Sequence, residues 1–114
     1  MDDCIFCKIV AGDVDAKLLY EDDAVVAFAD VSPMAPVHAL VVPKKHVASV
    51  EEAGPEDREL LGHMVRAARK LARDLGVADS GYRLVINTGP DATQTVPHLH
   101  LHLLGGRALE PRLG

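Results

Sequence analysis

Cysteine is scarce in this chain. Only Cys4 and Cys7 occur, too few for the disulfide framework that holds a small secreted protein together. Long apolar runs are missing as well: none approaches the roughly 20 residues of a membrane span. The opening MDDCIFC begins with acids instead of a basic region followed by an apolar one, so no signal peptide is visible. These absences point to a cytoplasmic protein without a membrane partner. Basic charge is also short, with 12 Lys and Arg against 17 Asp and Glu and a net charge of −5. That balance excludes a broad nucleic-acid contact, which needs clustered cations against the phosphates. A small anionic ligand is still compatible with it, because a local cluster of donors can oppose the global sign. No P-loop, no dense pair of aspartates for magnesium, no internal repeat and no low-complexity segment is found.

What is present suits one compact unit over residues 1–114. Apolar residues make up 48% and charged residues 25% of the 114, the balance of an ordinary globular chain with a single core. Two short apolar runs, Leu18 to Tyr20 and Ala24 to Phe28, flank the acidic turn EDD and read as a hairpin. HALVVP reads as a third strand that stops at Pro43, which has no N–H for a ladder. The period then changes: Leu60, Leu61, Met64, Val65, Ala68, Leu71, Ala72 and Leu75 form one helical stripe, with Pro55 in the first turn and Gly76 at the far end. YRLVIN and HLHLHLL read as two further strands joined by the turn-rich TGPDATQTVP. Strands, one long helix, then strands predict an α+β fold with a five-stranded, mostly antiparallel sheet.

The least ordinary stretch is PHLHLHLLGG, where His98, His100 and His102 alternate with leucines. On a strand the histidines share one face and the leucines the other, towards the core. Three of the six histidines fall within five residues, an unusual solvated face, since such faces normally mix Thr, Lys, Glu and Arg. A metal site is a second reading, but same-face neighbours stand about 6.6 Å apart along a strand, so one ion gathers at most two of the three. The third reading is nucleophilic catalysis at phosphorus: one neutral imidazole attacks while neighbours hold the developing charge. Cys4-x-x-Cys7 is, by spacing, half of a zinc site. Its place at the N-terminus does not fit a redox motif at a helix start after a strand. His63, Lys44 and Lys45 carry no motif; they read as a structural histidine and a solvated loop.

The pattern His98-x-His100-x-His102 followed by Leu103 and Leu104, together with PVHALVVPKKH, Asn87 and Gln94-Thr95, resembles the histidine triad superfamily. The likeness runs through nearly the whole chain and is greatest to the Hint branch, the purine nucleoside phosphoramidases. It implies a short N-terminal helix and a homodimer. It implies further that His100 is the nucleophile, that His102 contacts phosphate oxygens, that His38 joins the histidine network, and that Thr95 protonates the leaving amine. Asn87 and Gln94 would bind near the phosphate, and Asp30 would take the ribose hydroxyls. Phe6, Ile9, Phe28, Val31 and Leu40 would form an apolar slot for the base, although plain core packing also suits the apolar members and a turn suits Asp30. Some triad proteins carry the cysteine pair, and the matching positions imply a structural zinc ion on Cys4, Cys7, His46 and His98, with no cofactor in the chemistry. Two other functions compete with the phosphoramidase: a dinucleoside polyphosphate hydrolase of the Fhit kind, disfavoured by the LLGGR ending, and a zinc-stabilised nucleotide-binding scaffold. One departure stands out. Ala92-Thr93 occupies the place where many Hint-branch loops have two glycines, leaving that backbone less free to curl around phosphate.

Overall fold

The computed structural model describes residues 4–112. In chain order it contains helix α1 (Ile5–Ala11), strands β1 (Leu18–Glu21), β2 (Val25–Ala29) and β3 (Val37–Pro43), helix α2 (Arg58–Asp74), and strands β4 (Tyr82–Val85) and β5 (Leu101–Gly105). The sheet order is β1-β2-β3-β5-β4, antiparallel at every pairing.

Two apolar layers sandwich this sheet, and strand alternation assigns each residue to one of them. Val25, Ala27, Ala39, Val41, Leu101 and Leu103 face α2, where they meet Met64, Ala68 and Leu71. Val26, Phe28, Leu40 and Val42 face the other way, against Cys4 and Phe6 at the start of α1. Strands β2 and β3 are therefore buried on both faces and read as continuous apolar runs. Strand β5 does not: Leu101 and Leu103 enter the α2 layer, while His102 and Leu104 turn to the other side.

Asp22 closes the first hairpin by accepting the N–H groups of Ala24 and Val25 on one carboxylate oxygen and the Tyr20 hydroxyl on the other. Helix α2 is preceded by a 3-10 turn, Pro55–Asp57, so Pro55 opens the helical segment but the α-helix proper begins at Arg58. Its buried side is Met64, Ala67, Ala68, Leu71 and Ala72. Val65, expected in the stripe, is 46% exposed, and Ala67 takes the buried place instead.

Two strands are shorter than their sequences suggest. HLHLHLL pairs with β3 only from Leu101, opposite Val41, because β3 ends at Pro43 and cannot donate further. Upstream, Leu99 N donates to Val47 O and the Pro43 carbonyl receives the His98 ring. YRLVIN pairs only as far as Val85, leaving Ile86 and Asn87 in the loop. The alternation of faces nevertheless continues through the irregular part, with Leu99 in the α2 layer and His98 and His100 buried on the other side.

Candidate active site

Four histidines meet on the α1 face; backbone groups decide which ring nitrogen carries the proton in three of them, and His38 decides it for the fourth, His102. The N–H of Met34 donates to His38 Nδ1 at 3.1 Å, so the His38 proton sits on Nε2, which donates to His102 Nδ1 at 3.0 Å. Asp30 Oδ2 lies 3.4 Å from the same His38 nitrogen. The accepting Nδ1 of His102 leaves its proton on Nε2. His100 donates from Nδ1 to the carbonyl of His98 at 2.7 Å, which leaves its Nε2 as a free lone pair. His98 donates from Nε2 to the Pro43 carbonyl at 2.9 Å, which frees its Nδ1 in turn. The second nitrogen of each ring is thus set by the bond made by the first.

Burial favours the neutral form of His38 and His102. It lowers the pKa of His38 despite the opposing pull of Asp30, and together with His100 and His38 it pushes His102 down to about 4. At neutral pH both rings are therefore uncharged donors or acceptors.

A cavity of about 640 Å³ opens beside His100 and His102. Phe6, Ile9, Phe28, Val31 and Leu40 line it, with Asp30 and Thr95 among its polar groups. Every residue expected in the apolar slot is brought here. Phe6 stands edge-on to Phe28 at 5.5 Å and to His100 at 5.1 Å between ring centres, so one aromatic ring serves as both wall and backing. Asp30 also accepts the N–H of Ser32 at 2.8 Å; it both opens the turn and faces the cavity. Asn87 lines a neighbouring cavity of about 500 Å³, which shares His102 with the first and has His38, Thr93 and Arg107 in its wall. The side chain of Gln94 is bonded to backbone on both its oxygen and its nitrogen.

The cysteine pair forms a separate group behind the histidines. Cys4 caps helix α1, its sulfur accepting the Cys7 N–H at 3.3 Å, so the pair lies at a helix start, but with no strand before it among the described residues. His98 Nδ1 lies 3.2 Å from Cys4 Sγ and 3.5 Å from Cys7 Sγ, and His46 Nδ1 lies 3.2 Å from Cys7 Sγ. One ligand atom from each of the four residues lies within 4.8 Å of every other. Ligands of a tetrahedral zinc ion with Zn–S near 2.3 Å and Zn–N near 2.05 Å stand about 3.6 Å apart, so the donor set fits. The free lone pair of His98 on the sulfur side fits too. Asp30, His38 and His102 form a second close group, but there a proton on His38 Nε2 already joins the members, and a metal would have to displace it.

Three side chains read as bland are engaged elsewhere. Lys45 is paired with the buried Asp57 at 2.7 Å and Lys44 with Glu21 at 2.9 Å, so neither is simply solvated. His63 is 2.6 Å from Asp22, a structural role that ties α2 to the first hairpin. What sequence reasoning missed are the backbone partners of the rings, Met34 N and the carbonyls of Pro43 and His98, since no side chain marks them.

Comparison with known proteins agrees with this geometry. A family profile described as HIT domain matches residues 11–109. An uncharacterised HIT-like protein of Synechocystis sp. is 52% identical over 106 residues, covering 93% of this chain and 92% of that one. The purine nucleoside phosphoramidase of Escherichia coli K12 is 42% identical over 112 residues, covering 98% and 94%. The solved structure of a HIT family hydrolase from Clostridium thermocellum superposes with a TM-score of 0.96 at 45% identity, over 99% of this chain and 98% of that one.

Proposed function

The chain belongs to the HIT domain family, and from that footing we propose that it hydrolyses purine nucleoside phosphoramidates and related adenylylated compounds through a nucleotidyl-histidine intermediate. The observation that carries the reading is the 2.7 Å bond from His100 Nδ1 to the His98 carbonyl, which presents Nε2 as a nucleophile on a ring lining the nucleoside-sized cavity.

His100 Nε2 attacks phosphorus and forms an N–P bond as the bond to the leaving amine breaks; Thr95 supplies the amine with a proton. The ring becomes a cation, and the carbonyl already accepting its Nδ1–H stabilises that charge. Water then attacks phosphorus and gives a proton back to the Thr95 oxygen, the N–P bond breaks, and the nucleoside monophosphate leaves with neutral His100 and the Thr95 hydroxyl both restored. His102, neutral with its Nε2–H outward, donates to a phosphate oxygen. His38 and Asp30 hold it in that tautomer. Asp30 also takes the ribose hydroxyls, and Phe6, Ile9, Phe28, Val31 and Leu40 enclose the base. Asn87 binds near the phosphate from the adjoining cavity.

Cys4, Cys7, His46 and His98 would hold zinc, whose contribution is to pin α1 to the segment after β3 and to the triad. The reading also includes a homodimer, supported by the exposed Tyr82 and Ile86 at the edge formed by β4. A cytoplasmic setting agrees with two free thiols; no helix among the described residues is long and apolar enough to cross a membrane.

Steady-state hydrolysis of an adenosine phosphoramidate, run beside diadenosine polyphosphate, tests the reading. Release of adenosine monophosphate and amine is expected, with the polyphosphate cleaved far more slowly. Preferential cleavage of the polyphosphate, or tight nucleotide binding with no turnover, would overturn it.

A further inference from the structure

Gln94 is expected at the phosphate, yet its carboxamide points to a different task. Its Oε1 accepts the Gly89 N–H at 3.0 Å, and its Nε2 donates to the carbonyls of Ala48 at 2.8 Å and Val96 at 3.0 Å. An amide has two N–H donors, and both are taken. The backbone joins the same ends, with Gln94 N donating to Gly89 O at 3.1 Å and Thr93 N to Pro90 O at 3.0 Å. The loop from Gly89 to Gln94 is thus closed into a ring by its own last side chain. Inside the ring Thr93 has φ 59°, the one non-glycine residue with positive φ among those described. A β-branched residue stays there only where its surroundings over-determine it, and the Gln94 ring does so.

The clamp also reaches outside its loop. Ala48 lies two residues beyond His46, and the intervening Val47 carbonyl takes the Leu99 N–H at 2.7 Å. The short segment from His46 to Ala48 therefore holds the phosphate-side loop through Gln94 and the triad through Leu99. The residue after Gln94 is Thr95, in the cavity wall.

We infer that Gln94 is a positioning residue and not a substrate ligand: its amide pins the loop to the His46–Ala48 segment and so fixes the Thr95 hydroxyl where the leaving amine takes its proton. The inference rests on the reading of Thr95 given above.

The test uses two adenosine monophosphate derivatives on the full chain. One is an alkylamine phosphoramidate, whose amine leaves only when protonated. The other is a p-nitrophenyl ester, whose anion leaves without a proton. Gln94→Met keeps the length and removes every side-chain hydrogen bond. It should lower kcat for the phosphoramidate by about 10- to 100-fold and for the ester by less than about threefold, with product nucleotide affinity unchanged. In a Thr95→Ala background the same change should cost the phosphoramidate nothing further. Gln94→Glu keeps the acceptor for Gly89 N–H but sets a carboxylate oxygen against the Ala48 and Val96 carbonyls. It should therefore cost the phosphoramidate at least as much as Gln94→Met; the unchanged nucleotide affinity guards against a folding defect. Equal losses on both substrates with weaker nucleotide binding would make Gln94 a phosphate ligand and overturn the inference. Additive loss in the Thr95→Ala background would overturn it as well. Failure of the wild-type protein to turn over either substrate would instead remove the phosphoramidase reading, and the inference with it.

Discussion

Single side chains in this site are specified mostly by their bonds to the backbone. His102 illustrates the consequence. Burial and its histidine neighbours put its folded pKa at about 4, against 6.5 for the free side chain, so the unfolded chain takes up the proton first. Stability should therefore fall as pH drops from about 6.5 towards 4, by up to about 3 kcal/mol from this group, and should be insensitive to it above pH 7. His38, shifted the same way, adds to the effect. Urea unfolding across that range checks this; His102→Gln should flatten the profile, and an unchanged slope would contradict the assignment. Asp30 accepts the Ser32 N–H on one oxygen and keeps the other towards His38 and the cavity. Asp30→Asn should weaken ribonucleotide binding about tenfold through lost charge-assisted bonds, with little effect on a 2′,3′-dideoxy analogue. Equal losses in titration calorimetry would reduce Asp30 to its turn.

Elements were legible from sequence where a period or a turn former dictates them, and less so where tertiary pairing does. The long helix followed from its apolar spacing, while its first turn tightened into a 3-10 turn at Pro55–Asp57. The histidine row was read with the right faces but as too long a strand. Alternation is local, but pairing needs a partner, and β3 stops at Pro43. The glycines after the row were legible only as letters; the fold shows their use. Gly106 has φ 92°, and a Cβ there would come within 2.9 Å of Pro36. Gly106→Ala should therefore cost about 2 kcal/mol or more, from left-handed strain and overpacking together. A thermal melt within about 1 °C of wild type would refute that packing, since 1 kcal/mol moves the midpoint of a domain this size by several degrees.

For the molecule as a whole, the site exists because one sheet face is lent to chemistry. Leu99, Leu101 and Leu103 pack in the α2 layer, and the opposite side of the same stretch of chain gathers His98, His100 and His102 under α1. The candidate residues could be named from sequence because the triad motif is dense, but the division of labour among its rings depends on carbonyls contributed by distant segments. The cysteine cluster is the clearest case, since Cys4, Cys7, His46 and His98 converge from three separate stretches. If zinc joins them, chelation should lower the melting temperature by about 5 °C or more while leaving turnover measurable below it. Cys7→Ser should reproduce the shift, and a melt untouched by both would return the pair to free thiols. The central claim is the covalent role of His100, and the direct measurement is mass spectrometry of protein quenched during turnover of an adenosine phosphoramidate. A nucleotidyl adduct on the peptide carrying His100, absent from His100→Ala protein that still binds nucleotide, is the result expected. Turnover with no adduct in wild type, or near wild-type turnover by His100→Ala, would contradict it.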